Sequence, residues 1–418
     1  MTESTETPTP RRAAFIFVFF TVVLDMLALG LIVPVLPKLI VRFADGDTAA
    51  GAKYYGLFAT VWALMQFIFA PVLGALSDRF GRRPVILLSN LGLGLDYVLM
   101  ALAPSLVWLF VGRTLSGITS ASFATAGAYI ADVTPIHQRA SRFGMLGAAF
   151  GIGFVLGPAL GGVLGSIDPR LPFWVAAALS LLNACYGLFV LPESLPAERR
   201  APWQWRRASP VGSLLLLRSH RELVGLSSVS FIANVAHEVQ SSVLVLYAGL
   251  RYGWDERTIG LTLAGVGICS SLVQGGLVSR TVKRFGERRT LIGGLAMGAL
   301  GFALYGVAAR GAMFWLGVPF VALWGVAAPA TQGLMTRHVT PSEQGQFQGA
   351  MSSLRGIARL VGPGLFTLTF AASIGAHRAF ELPGAAFFLA ALLLLCATAL
   401  AVAVTRPRAQ PDATISSS

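Results

Sequence analysis

Residues 74–83 read Gly74-Ala75-Leu76-Ser77-Asp78-Arg79-Phe80-Gly81-Arg82-Arg83 and lie between two apolar runs, 54–76 and 84–103. Each run is close to the ~20 residues that cross a bilayer as a helix. The glycines at either end permit a tight turn, and Asp78 can pair with arginines across neighbouring helix ends. Positive charge that merely orients a loop explains the arginines, but not Asp78 or the glycine spacing. The stretch is therefore expected to be an ordered loop joining two membrane spans on their basic side.

Outward from this loop the same rhythm continues. Apolar runs at 14–36, 106–131, 142–165 and 171–192 complete six spans, and 223–249, 258–279, 290–309, 312–336, 346–370 and 377–404 supply six more. Of the 418 residues 55% are hydrophobic and 12% charged, against about 25% charged in a soluble domain. The mean hydropathy is +0.69, and glycine, common in transmembrane helices, occurs 46 times. A soluble enzyme, a nucleic-acid module and a disordered scaffold fit this composition poorly. The expected class is an all-α polytopic membrane protein with twelve transmembrane helices in two six-helix halves. The polar start, Met1 to Arg12, precedes a run long enough to span, which is expected to be a first helix rather than a cleaved signal.

The net charge of +13 follows membrane sidedness, not nucleic acid. With the N-terminus inside, 21 of the 32 Lys+Arg fall on the cytoplasmic side, eight outside, and Arg113, Arg355 and Arg359 within spans. That bias predicts a multi-pass protein with both termini cytoplasmic, and the scarcity of lysine (Lys38, Lys53 and Lys283 against 29 arginines) suggests a GC-rich, bacterial genome and hence a bacterial inner membrane. Cys185, Cys269 and Cys396 lie in apolar runs without metal or disulfide spacing and are expected to be small buried hydrophobes.

An internal repeat divides the chain. Arg79-Phe80-Gly81 recurs as Arg284-Phe285-Gly286 and Gly157-Pro158 as Gly362-Pro363, both at an offset of 205 residues. Parallel transporter repeats have this form. The expected organisation is a first half over 1–192, a polar linker over 193–222 and a second half over 223–418.

The loop at 74–83 matches the signature loop of the major facilitator superfamily. In the fifth span, Gly144, Gly153, Gly157-Pro158 and Gly161-Gly162 form a pattern that resembles the antiporter motif of its drug-exporting members. Small residues there let helices approach closely, and Gly-Pro bends the helix. Leu24-Asp25, residues 30–37 (GLIVPVLP), Asp96-Tyr97, residues 127–132 (GAYIAD) and Leu191-Pro192-Glu193-Ser194 resemble the tetracycline exporters. The resemblance implies a twelve-helix exporter exchanging a small molecule for protons. The second half departs from it: the place of the exporters' eighth-helix histidine is Ser270, and that of their ninth-helix aspartate is Gly298.

An ionisable group at a span centre costs about 2.5–3.5 kcal/mol on insertion scales, so each one is a functional candidate. Asp25 and Arg113 are expected to face one central cavity, with Asp25 as proton carrier and Arg113 as its switch partner. Asp96 and Glu238 are further candidates for proton coupling. His237, Asn234, Gln240, Arg355, Arg359, Gln66 and Gln332 are candidates for the substrate cavity, with Asn90, Tyr129, Gln274, Trp324 and Met335 also within spans. Gly74, Asp78, Arg79, Gly81, Arg82 and Arg83 are expected to hold a cytoplasmic gate, with Asp132 beside Arg139 and Arg142.

The expected function is proton-coupled antiport exporting a small amphipathic compound or drug by alternating access. The alternatives are transport of an endogenous anionic or lipid-like metabolite on the same fold and, remotely, a non-transporting receptor. No metal-ligand cluster, nucleotide loop or nucleophile constellation suggests an enzyme. The expected partners are substrate, protons and lipid, with no nucleic acid, no cofactor beyond the proton gradient as energy source, and a monomeric state.

Overall fold

The computed structural model describes residues 9–120, 122–200, 221–340, 343–375 and 382–406, which hold helices and no strand. The first half comprises α1 (Thr9–Ile32), α2 (Leu36–Phe43), α3 (Thr48–Phe80), α4 (Arg82–Leu102), α5 (Leu106–Thr119), α6 (Ser122–Val133), α7 (Ile136–Ile167) and α8 (Leu171–Val190). The second comprises α9 (Arg221–Tyr252), α10 (Glu256–Leu272), α11 (Val278–Val307), α12 (Gly311–Trp324), α13 (Ala327–Thr336), α14 (Gln344–Ile374) and α15 (Ala385–Val404). Most of the expected linker, 201–220, lies outside the described residues.

Among the described residues, ten stretches are long and apolar enough to cross a membrane. One of them, Glu256–Val307, is 52 residues long and turns at Gly286, whose φ is 76°. One further span is divided into α5 and α6. Allowing for both, the count agrees with the expected twelve.

The sequence suggests unbroken helices over 106–131 and 312–336, but each is interrupted. The first leaves helical geometry at Ser120 (φ −76°, ψ 52°), and the second is broken between Trp324 and Ala327, around Gly325. Serine offers the backbone competing hydrogen bonds and glycine lacks helical preference. Ser120 and Gly325 are 205 residues apart, as are the positive-φ turns Gly81 (φ 106°) and Gly286. The repeat read from five motif residues is thus carried by backbone breaks as well.

Within the first half α1 packs on α7 and α8, and α4 on α5 and α8; within the second α9 packs on α14 and α15, and α11 on α12 and α15. The second half encloses an aromatic core in which Tyr305 and Phe314 stack at 3.9 Å between centroids. Cys185 and Cys396 are exposed and Cys269 half-buried, correcting the expectation of burial. In a membrane, an exposed apolar side chain faces lipid and needs no burial in protein.

The halves meet along two seams. On α3 and α14, Gly56 lies against Thr367, Thr60 near Gly364, and Phe67 against Gly356. On α7 and α10, Gly162 lies against Gly260 and Val155 against Gly267. Both seams then open towards the end that bears Thr9 and Arg406, here the terminal end. Gly74 continues the seam face of α3, and Gly144, Gly147 and Gly151 continue that of α7. A Cβ added to any of the four would meet nothing within 4 Å. The halves are closed at the far end and parted at the terminal end.

Candidate functional site

Asp25, Asp96 and Arg113 lie inside the first half. They are 5%, 1% and 7% exposed, so none of them lines the open cleft in this conformation. The sequence expectation places Asp25 and Arg113 on a shared cavity; here both are enclosed within the first half. Asn183 of α8 donates through Nδ2 to the Asp25 carboxylate at 3.2 Å and to the Thr21 carbonyl at 3.3 Å, while Thr21 donates back to Asn183 Oδ1 at 3.1 Å. Asp96 fits over Gly112, where a Cβ would stand 2.8 Å from its carboxylate. The carboxylate acting most strongly on Arg113 is accordingly Asp96, where the sequence points to Asp25. The Arg113 guanidinium also stacks over the Trp62 ring at 5.0 Å.

Tyr55 on α3 ties this cluster to the other half. It lies within electrostatic reach of both Arg113 and Glu238, and its hydroxyl donates to the Ser241 carbonyl at 2.9 Å. Tyr55, Asn183 and Trp62 escape a sequence reading, because neutral side chains in a span carry no signal above ordinary packing.

The second-half candidates are less enclosed. His237 is exposed and its ring lies 5.4 Å from that of Trp324. Glu238 is half-buried, packs on Gly362 and accepts from the Ser241 hydroxyl at 3.2 Å. Arg355, Arg359 and Gln332 are exposed, and Gln240 half-buried. Asn234 turns back on its own helix, donating to the Ser230 carbonyl at 2.7 Å. Gln66 donates to Ser120 at 3.2 Å, at the break between α5 and α6. Asn90, Tyr129 and Met335 are fully buried and belong to packing. Gly298 receives the Trp324 side chain, 2.7 Å from where its Cβ would be. An acid at that position has no room here.

At the terminal end Arg82 links Asp78 on α3 to Asp132 on α6, the latter at 3.1 Å; Ser194 also donates to Asp132. Asp132 is expected from the sequence beside Arg139 and Arg142; its ion pair is with Arg82, and the Arg139 side chain lies outside the described residues. Glu193 accepts from the backbone N–H groups of Arg82 (2.8 Å) and Arg83 (3.3 Å), capping α4. It fills the space beside Gly81, which together with the positive φ explains the glycine. Arg83 donates to the Leu188 carbonyl at 2.6 Å, and Arg79 covers the Phe80 ring. A cavity of about 200 Å³ lies between α3 and α6, lined by Gly74, Ser77, Asp78, Arg82, Thr125 and Ala128. Arg82 and Asp132, shifted by 205, become Glu287 and Arg337, which also pair, at 2.8 Å. The second half keeps the contact and reverses its polarity.

At the far end the closure is ionic as well as glycine-mediated. Lys38 donates to the Trp254 carbonyl at 2.7 Å, and Glu256 pairs with Lys38 (3.6 Å) and Arg42 (3.3 Å). The neighbouring Asp255 caps α10; the hydroxyl and N–H of Thr258 hold its carboxyl below the usual carboxylate range. Sequence reading misses this latch, although Lys38 and Arg42 stand on the basic-poor side, a usable signal. The fifth-span glycines divide between two partners: Gly153, Gly157 and Gly161 receive the α1 backbone around Met26, Gly30 and Leu31, and Gly162 receives Glu256 and Gly260. Pro158 offers its carbonyl side to Gly260. Gly144, expected to pack with them, stands open.

Comparisons with known proteins agree with this architecture. The profile of the Major Facilitator Superfamily matches residues 18–363 and 277–417. The class C tetracycline resistance protein of Escherichia coli is 41% identical over 391 residues, 93% of this chain and 96% of that protein. The class G protein of Vibrio anguillarum is 38% identical, covering 92% and 97%. Among solved structures, the nucleoside transporter NupG superposes with a TM-score of 0.76 at 13% identity, over 96% of this chain and 100% of that one; this likeness concerns the fold.

Proposed function

The chain belongs to the Major Facilitator Superfamily, and from that premise we propose that it is a proton-coupled antiporter exporting a small amphipathic compound by alternating access. The observation that carries the reading is a pair of glycine seams, closed at the far end and parted at the terminal end, beside a buried acid–arginine cluster. The kinship to tetracycline resistance proteins favours export. The Lys/Arg bias makes the terminal end cytoplasmic, so the cleft is open to the inside of a bacterial inner membrane.

In this reading substrate enters from the cytoplasm through the opening between the two halves and meets the wall formed by α9 and α14. Asp25, Asp96 and Glu238 exchange protons, with Arg113 compensating whichever first-half carboxylate is ionised. A proton taken up by Asp96 releases Arg113 to serve Asp25 or the Tyr55 hydroxyl, and Tyr55 carries the change to the α9 side. The two halves then rock about the fixed site. Closure at the terminal end brings the bare glycine faces of α3 and α7 onto the second half, and the Lys38–Glu256 latch opens.

The test is proton movement in everted vesicles challenged with tetracycline and a panel of lipophilic drugs, in wild type, Asp25→Asn and Glu238→Gln. Drug-induced proton release, abolished in both variants, is the expected outcome. Loss only in Asp25→Asn makes Glu238 structural, and no release with any compound rejects drug antiport.

A further inference from the structure

We infer that the wall formed by α9 and α14 is a subsite for a single negative charge, so that the transported molecule is an amphipathic monoanion with a flat apolar body. This rests on the transporter reading above and names its substrate class.

The orientation of α14 carries the argument. At 3.6 residues per turn, Gly356 faces α3 through Phe67 and Gly362 faces α9 through Glu238. Val361, Leu365 and Leu368 are exposed on the opposite side, towards lipid. Arg355 and Arg359, one turn apart, fall between the first two directions. They therefore look into the space between α3 and α9, and the route by which an arginine reaches lipid headgroups is not theirs.

Both guanidiniums are exposed, and among the described residues neither forms an ion pair. Arg355 donates to the Ser352 hydroxyl at 3.1 Å. Arg359 lies within electrostatic reach of His237, which also feels Glu238. Two guanidinium charges against one carboxylate leave at least one positive charge. Such a residue inside a span is costly, and closing the cleft over it raises the cost by removing water. A bound carboxylate, held by the fork geometry of a guanidinium, removes the excess. Beside it the rings of His237 and Trp324, 5.4 Å apart and inclined at 53°, offer two aromatic faces against which a flat apolar body can lie.

The experiment measures equilibrium binding by the full-length protein in nanodiscs at pH 7.4. Three matched probes are used: 2-naphthoate, biphenyl-4-carboxylate and decanoate, each against its primary amide. At least one acid is expected to bind tenfold or more tightly than its amide. Arg359→Gln should bring that ratio within twofold, and Arg359→Lys should keep part of it. Glu238→Gln leaves two positive charges and should tighten acid binding, a gain that misfolding cannot produce. Equal binding of acid and amide in all three pairs overturns the inference, as does a preference that survives both Arg359→Gln and Arg355→Gln. Drug-induced, Asp25-dependent proton release without any acid preference would sink the subsite and leave the antiporter reading standing. Acid preference without proton release would do the reverse.

Discussion

Arg113 illustrates what a charge inside a span demands of its neighbours. Water does not reach it, so its stability depends on Asp96 and on the Trp62 ring. Asp96 acts on it across the buried interior rather than through a hydrogen bond, and removing one of two such opposite buried charges leaves the other uncompensated, at a cost of up to about 3–5 kcal/mol. Arg113→Gln should therefore lower the melting temperature in detergent sharply, and Arg113→Gln with Asp96→Asn should recover much of the loss. An additive double mutant would show that the two do not interact. At this scale the sequence discloses which residues are charged in a hydrophobic run, since composition alone marks them. It does not disclose pairing, because partners come from other helices. The missing ninth-helix acid is the instructive case: a single Gly298 looks like a loss, and only Trp324, 26 residues later, shows that the space was reassigned.

For the helices, close approach decides. Gly162 lets α7 touch α10 through the backbone of Glu256 and Gly260, and a larger residue there has no room. Gly162→Val should leave insertion intact but push the far end apart, and transport in vesicles should fall by at least tenfold. Unchanged transport would mean that the α7–α10 seam does not need to close. The motif pattern makes the close packing legible beforehand, but not its two addressees, α1 for one row of glycines and α10 for the other. Nor does periodicity reveal the breaks at Ser120 and Gly325, because a broken span is as apolar as a straight one.

At the level of the whole molecule, the Lys38–Arg42–Glu256 latch biases one of two packings. Glu256→Gln removes the anion shared by two cations at the joint between halves, and should shift the population towards the state closed at the terminal end. The readout is thiol labelling at Gly151→Cys in a background lacking Cys185, Cys269 and Cys396. Labelling should slow in Glu256→Gln; an unchanged rate would dismiss the latch as a passive surface pair, which is worth only ~0–1 kcal/mol when exposed. The duplication is visible in the sequence at five motif residues, whereas the polarity-reversed pair Glu287–Arg337 is not, because a repeat search looks for identity and not for exchange. The bare faces at Gly74, Gly144, Gly147 and Gly151 touch nothing in the packing described here. Two kinds of mutational scan should consequently disagree about them. One scored on thermal resistance in this conformation would rank these positions among the most permissive in the chain, while one scored on drug survival would rank them among the least.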